Sequence, residues 1–389
     1  MKYFIKAFFI VVILITSSLL KTETLAKNTN FKYSQEDISN YFSGIVSLNQ
    51  NYTTTGFKYL NKVQSLRNTH SNFNIQFIRS LILLEKFDQA FAFSKSVWRE
   101  DEPFFDIDLL LGLESFVKKD YINAEKYFKR LNAFSKYNLF FDDFFGNLLT
   151  SWIEASKNNQ EGSFKFLNEI PERYIHLKNI QKAFLHCYFD TSKTEVAFED
   201  LISSEKNDFS RYNFFLANFF VHKNENTAAE ILLENSVNAY NSNLLLKQSL
   251  NFIKAGETKK IKKLFNCKDP ADVIAEIFYV TANLYSSQKD HQLSNYYLKI
   301  SLFLNSQFIP NKTLLAENFY YKKKYEISKD IYNSIRSIGS VYSWYASKSV
   351  AMILTETEGK EYSTSVLKSE INLLPNLDFE KYYEIANFY

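Results

Sequence analysis

The chain has 389 residues, of which 46% are hydrophobic and 23% charged, and this balance excludes both a disordered protein and a polytopic membrane protein. Aromatic residues make up 17%, whereas only 8 Gly and 5 Pro are present. So few turn-forming residues argue against a many-stranded β fold and against the glycine loops of nucleotide-binding folds. The 46 basic and 43 acidic side chains nearly cancel, for a net charge of +3. The composition predicts a helical protein.

Residues 1–26 have the features of a secretory signal peptide. Lys2 and Lys6 precede an apolar run over residues 7–20, which is too short to span a bilayer, and Thr24 and Ala26 place small residues at a cleavage site. Cleavage after Ala26 removes three lysines and one glutamate and lowers the net charge to +1. Such a neutral surface has no long-range attraction for nucleic acid or anionic lipid. We therefore expect an exported protein of the periplasm or cell envelope, and the alternative is an uncleaved N-terminal anchor.

The two cysteines, Cys187 and Cys267, are eighty positions apart. A secreted protein stabilised by disulfides usually has an even set of closely spaced cysteines. In the repeat register described next, the two residues lie two repeats apart, which is farther than the Cα separation of about 4.4–6.8 Å that a disulfide needs. The sequence therefore predicts two buried free thiols.

After the predicted signal peptide, the chain repeats with a period near 34 residues. In the clearest unit, Leu111-Gly112, Ala124 and Phe128 mark two helices joined by a polar turn. The position of Ala124 recurs at intervals of 32 to 38 residues, and a large apolar residue follows four positions later in most units. The ten residues at this position are Gly56, Ala90, Ala124, Gly162, Ala197, Ala229, Ile261, Ser294, Ser328 and Ser363. Two antiparallel helices approach closely only where side chains are small, so this register predicts ten packed helix pairs.

The spacing of Leu111-Gly112, Ala124 and Phe128 resembles the signature of the tetratricopeptide repeat (TPR) family. The resemblance implies an all-α, right-handed solenoid of about ten helix pairs over residues 27–378. Residues 379–389 then form a helix that caps the end of the solenoid, where Ile385-Ala386 matches half of a further unit. The unit around Ile261 has a bulky residue at the small position beside four lysines, and its second helix is expected to be short or kinked.

No motif for catalysis, metal binding or a cofactor is found in the sequence. The five histidines lack the i, i+4 spacing of a helical metal pair, and no Walker loop or G-x-S-x-G sequence occurs. Paired acids at Asp101-Glu102 and Asp142-Asp143 precede helices, where they complement the helix dipole. The sequence therefore predicts a non-enzyme without metal or small-molecule cofactor.

The resemblance also indicates where a partner would bind, because positions 2, 5, 9 and 12 of each first helix line the concave groove of a TPR protein. In units one to three these positions form an apolar wall that includes Ile38, Ile75 and Leu109, interrupted by Arg79 and Asp106. In the later units they give two candidate partner-binding sets. The first is a basic and amide-bearing patch of Lys182, Arg211 and Asn218 with Phe214 beneath it, and the second is the face of Tyr279, Asn283 and Tyr320.

Binding of a protein or peptide segment in this groove is the function that the pattern favours, since a solenoid needs no catalytic residue for it. A cell-wall enzyme with a superhelical body is one alternative, but the register leaves no segment of about 100 residues for a catalytic domain. A nucleic-acid-reading helical repeat is another, and the near-zero net charge argues against it. We expect no nucleic acid partner, and membrane contact only through an uncleaved signal segment.

Overall fold

The computed structural model describes residues 33–134, 143–203, 210–239, 243–371 and 379–388. The predicted signal peptide, residues 1–26, lies outside these ranges. Within them, no helix has both the length and the apolar character that crossing a membrane requires.

The described residues form twenty-one α-helices and no strand, and twenty of these helices form consecutive antiparallel pairs, so the predicted all-α solenoid is confirmed. Four 3₁₀ segments extend or connect the helices. The helices are α1 (Gln35–Asn49), α2 (Thr53–Leu60), α3 (Ser71–Leu83), α4 (Phe87–Val97), α5 (Phe105–Val117), α6 (Tyr121–Leu131), α7 (Phe145–Ser156), α8 (Gln160–Asn168), α9 (Ile175–Tyr188), α10 (Thr194–Ile202), α11 (Tyr212–His222), α12 (Asn226–Ala239), α13 (Leu244–Lys254), α14 (Thr258–Leu264), α15 (Pro270–Ser287), α16 (His291–Leu304), α17 (Ile309–Tyr321), α18 (Tyr325–Ile335), α19 (Ser340–Thr357), α20 (Lys360–Ile371) and α21 (Phe379–Phe388).

In units one and three, the small residues of the register lie where the two helices cross. A Cβ added to Gly112 on α5 would lie 2.3 Å from the ring of Phe128 on α6. A Cβ added to Gly44 on α1 would similarly lie 2.6 Å from Leu60 on α2. Ala124 is completely buried. The contacts inside these two pairs therefore agree with the TPR register.

Each of the ten pairs turns through one residue in the left-handed backbone region. Only Gly256 and Gly359 among these ten are glycines. The other eight are Asn51, Glu85, Lys119, Asn158, Asp190, Asn224, Lys289 and Lys323. A left-handed residue just after a helix ends it and lets the chain reverse, so a common turn geometry joins the two helices of every unit.

The predicted register differs from the structure by one residue in unit four and by three in unit five. In unit four the buried small residue is Ser163 rather than Gly162, and its carbonyl oxygen accepts a hydrogen bond of 2.8 Å from the hydroxyl of Ser151 on α7. In unit five Thr194 and Phe198 are buried whereas Ala197 is only half-buried, so Thr194 takes the small position and Phe198 is the large residue four positions later. Choosing the smallest residue in each unit placed these two positions wrongly.

The seventh unit departs from the repeat, because α14 ends at Leu264 after seven residues. Phe265 is extended, and the chain then crosses α11 of unit six, where His222 Nε2 lies 3.2 Å from the Phe265 carbonyl oxygen. Beyond it, Lys268 donates a hydrogen bond of 2.7 Å to the carbonyl oxygen of Tyr188 at the end of α9. The short helix thus brings the segment after it back to unit five.

Cys187 and Cys267 form a disulfide, with their Cα atoms 6.0 Å apart. The prediction of two free thiols is therefore wrong. It assumed that every second helix has its usual length, which would hold the two residues two repeats apart. The segment after the shortened α14 instead passes beside the end of α9, where Cys187 lies.

The solenoid folds back on itself, because unit eight packs against units two to four. Helix α16 contacts α3, and α15 contacts α7. Lys299 on α16 forms an ion pair of 2.5 Å with Glu85, and the ring of Phe303 stacks on Phe87 with centroids 4.4 Å apart. Helices α3 and α7 are first helices, so unit eight covers part of the concave face that the TPR register assigns to the N-terminal half.

The last helix, α21, packs on the end of unit ten. Ile385 and Phe388 of α21 contact a small apolar cluster of Trp344, Ala351 and Leu367. The indole Nε1 of Trp344 also donates a hydrogen bond of 2.6 Å to Glu384 of α21. The helix thus covers apolar surface of α19 and α20.

Candidate functional site

Arg211, the centre of the predicted basic patch, already has a carboxylate partner. Its guanidinium donates to Glu276 on α15 at 2.5 Å and lies over the ring of Tyr279 with 4.4 Å to the centroid. The hydroxyl of Tyr212 donates to the same Glu276 oxygen at 3.0 Å. Burial alone would lower the pKa of Arg211, but the neighbouring Glu276 carboxylate raises it above its usual value. Arg211 therefore joins unit six to unit eight.

Phe214 and Asn218 lie in the interior. Phe214 is completely buried, and Asn218 is 1% exposed and donates a hydrogen bond of 3.0 Å to the carbonyl oxygen of Ile261 on α14. Lys182 on α9, in contrast, is exposed. The structure thus does not bring the predicted basic and amide-bearing patch together on an open surface, because α14 and α15 fold over α11.

The second predicted set is divided between two environments. Tyr279 is half-buried under Arg211 and packs edge-on against Phe308, whereas Asn283, four residues later on α15, is exposed. Tyr320, at the end of α17, lines a separate open groove together with residues of α19 and α21. Of the two predicted sets, only Tyr320 borders this groove.

The C-terminal groove, as we name it, is a cavity of about 710 Å³ between α17, α19 and α21. Four of the residues that line it are Tyr345, Lys348, Met352 and Thr355, which occupy positions 2, 5, 9 and 12 of unit ten. These are the positions that face the groove in the TPR register. The remaining lining residues are Glu317, Tyr320, Tyr321, Tyr332, Ser349, Glu356, Lys360, Glu384, Asn387 and Phe388. The sequence reasoning missed the unit-ten residues, although the same position count extended by one unit yields all four.

Hydrogen bonds hold the polar side chains of the groove in place. The hydroxyl of Tyr345 donates to Glu317 at 2.6 Å, and Lys348 forms an ion pair with Glu384. Burial raises the pKa of the Glu317 carboxyl, and the hydrogen bond from Tyr345 offsets part of that rise. Burial also raises the pKa of Tyr332 to about 12, with a contribution from Glu317. The groove therefore combines tyrosine rings with fixed carboxylates.

Two further features of the described residues concern metal binding and His186. No group of three or more His, Cys, Asp or Glu side chains in those ranges could hold a metal ion. His186, the histidine beside Cys187, is buried, with Nδ1 2.9 Å from the hydroxyl of Thr191 and its ring against Phe164. These contacts are those of a packed core histidine.

Neither a family model nor a curated protein sequence matches the chain. Among solved structures, yeast Tom70 is similar over 90% of this chain and 88% of its own, with 11% sequence identity and a TM-score of 0.27. The Cut9–Hcn1 hetero-tetramer of the APC/C is similar over 90% of this chain and 76% of its own, with 11% identity and a TM-score of 0.31.

Proposed function

We propose that this chain is a non-catalytic scaffold that holds a segment of another protein in its C-terminal groove. One observation carries the proposal: the groove-facing positions of unit ten line an open cavity of about 710 Å³, whereas unit eight packs against the concave face of the N-terminal half. Pockets that bind small ligands measure about 300–1,000 Å³, so the groove is large enough to enclose groups of that size. Tyrosine and methionine side chains are favoured anchors in protein interfaces.

The proposed scaffold works outside the cytoplasm, in the periplasm or cell envelope. Two independent features support this location. Residues 1–26 read as a secretory signal, and Cys187 pairs with Cys267 in a buried disulfide. Structural disulfides persist in oxidising compartments and are rare in a reducing cytosol.

Site-specific photo-crosslinking in the producing cells tests the binding function. A benzophenone amino acid replaces Met352, which is 46% exposed in the groove, and in a control chain it replaces Ile122, which is 82% exposed on α6. We expect a discrete adduct with another protein from position 352 and none from position 122. Adducts from position 122 without any from position 352 would place the interaction on another surface and contradict the proposal.

A further inference from the structure

Among the residues that the structure describes, the lining of the C-terminal groove has an excess of negative charge. Three carboxylates line it, those of Glu317, Glu356 and Glu384, against the two ammonium groups of Lys348 and Lys360. Lys348 and Glu384 form an ion pair and balance each other. Of the remaining described lining residues, Glu317 and Glu356 have carboxylates and Lys360 has an ammonium group. Glu356 is exposed and forms no ion pair with any residue that the structure describes. The charge of the groove therefore complements a cationic group.

Tyrosine rings surround the two carboxylates. Tyr332 and Tyr345 pack edge to face with centroids 5.8 Å apart, and Tyr320 and Tyr321 do the same at the same distance. The four rings come from α17, α18 and α19, and Tyr321 is 66% exposed. The face of an aromatic ring is the negative end of its quadrupole and attracts an ammonium or guanidinium group within about 6 Å of the centroid.

Glu317 is positioned to act as the counter-charge inside the groove. It is half-buried, and the Tyr345 hydroxyl fixes one of its oxygens at 2.6 Å. Burial disfavours its charged form, and a cation placed beside it would offset that cost. A bound cation therefore gains from both the carboxylate and the neighbouring rings.

We propose that the C-terminal groove binds an arginine or lysine side chain of the partner segment, with tyrosine rings around the cation and Glu317 and Glu356 as its counter-charges. This inference rests on the proposed function and adds the chemistry of the bound segment. Met352 and Phe388, which also line the groove, supply apolar surface for the residues that flank the cation. A neutral or acidic segment would have no cation to interact with these carboxylates and rings.

The test measures binding of fluorescently labelled acetyl-Gly-Leu-Arg-Leu-Gly-amide to the purified chain by anisotropy. Companion peptides replace arginine by lysine, by citrulline, which has nearly the same shape without the charge, or by glutamate. We expect the arginine and lysine peptides to bind about tenfold more tightly than the citrulline peptide, because each cation gains a ring contact and an ion pair. The difference should shrink at 1 M salt, which screens exposed charges.

Variants inside and outside the groove test whether the preference for cationic peptides arises in the groove. Glu356→Gln and Tyr321→Ala should each weaken the arginine peptide about two- to fivefold. Two matched controls outside the groove, Glu326→Gln on α18 and Tyr362→Ala on α20, should leave its affinity unchanged; their side chains are 76% and 54% exposed. Glu317→Gln, which keeps an acceptor for Tyr345, should remove most of the preference for arginine over citrulline.

The outcomes separate this inference from the proposed function. Equal affinity for the arginine, citrulline and glutamate peptides, abolished by Met352→Glu, would overturn the cation site while leaving a peptide-binding groove. If no peptide binds, the cation site is overturned, and the photo-crosslinking at Met352 decides independently whether the groove binds a partner at all. Loss of affinity in the control variants with none in the groove variants would also overturn the cation site.

Discussion

The small residues at the helix crossings set how closely the two helices of a unit approach. Gly44 and Gly112 each lie against a large side chain of the partner helix, with no space for a methyl group. Ala124 occupies the corresponding position on a second helix and is completely buried. Packing of this kind tolerates little added volume, so the stability of the solenoid depends on these positions.

Replacement of Ala124 by tryptophan should overpack unit three. The indole has no space between α5 and α6, so we expect the free energy of unfolding to fall by about 1–3 kcal/mol or more. Ile122→Trp on the same helix is the matched control, because residue 122 is 82% exposed and should change stability by less than about 0.5 kcal/mol. Urea unfolding followed by circular dichroism measures both. Equal stability of the two variants would show that the register is wrong in its clearest unit.

The same steric rule explains which residues could be predicted from the sequence. Small residues recur at fixed offsets because every helix pair repeats one crossing, and this made Ala124 and Ala229 recognisable. Phe214 and Asn218 could not be recognised as buried, because α14 and α15, which fold over them, belong to later units. Their position in the repeat matches that of groove residues, and periodicity within one unit has no information about contacts between distant units.

At the scale of the helices, the departures from the repeat decide the geometry. The sequence indicated that the helix around Ile261 is short, and α14 does end after seven residues. It gave no indication of where the following segment goes, since that depends on contacts with α9 and α11. The left-handed residues in the turns within the pairs could not be recognised from the sequence either, because eight of these ten residues are not glycine.

Loss of the disulfide should destabilise the chain measurably. It joins two residues 80 positions apart, and a cross-link over such a loop restricts the unfolded chain and typically stabilises a protein by about 2–4 kcal/mol. We expect the double variant Cys187→Ala and Cys267→Ala to lose about that amount in urea unfolding. Adding a reductant should destabilise the natural chain and leave the double variant unchanged. Alkylation of two thiols in unreduced, denatured chain would show that the disulfide does not form.

At the scale of the whole molecule, the fold-back determines which surface is open. An extended TPR solenoid would present one continuous groove along all ten first helices. Here α16 packs on α3 and α15 on α7, while α13 contacts α19 through the hydrogen bond of 3.0 Å from the Val341 amide to the Gln248 side chain. The C-terminal groove at units nine and ten is open.

Zero-length cross-linking tests the closure directly. A carbodiimide joins a lysine to a carboxylate only when the two are in contact, and Lys299 lies 2.5 Å from Glu85, 214 positions away in the chain. We predict a cross-linked peptide between these two residues in the mass spectrum, and its loss in the Lys299→Arg variant. Lys157 and Glu125, which belong to adjacent units and lie 2.7 Å apart, provide the internal control. A Lys157–Glu125 cross-link without any Lys299–Glu85 cross-link would mean that the solenoid is open, and would contradict this account.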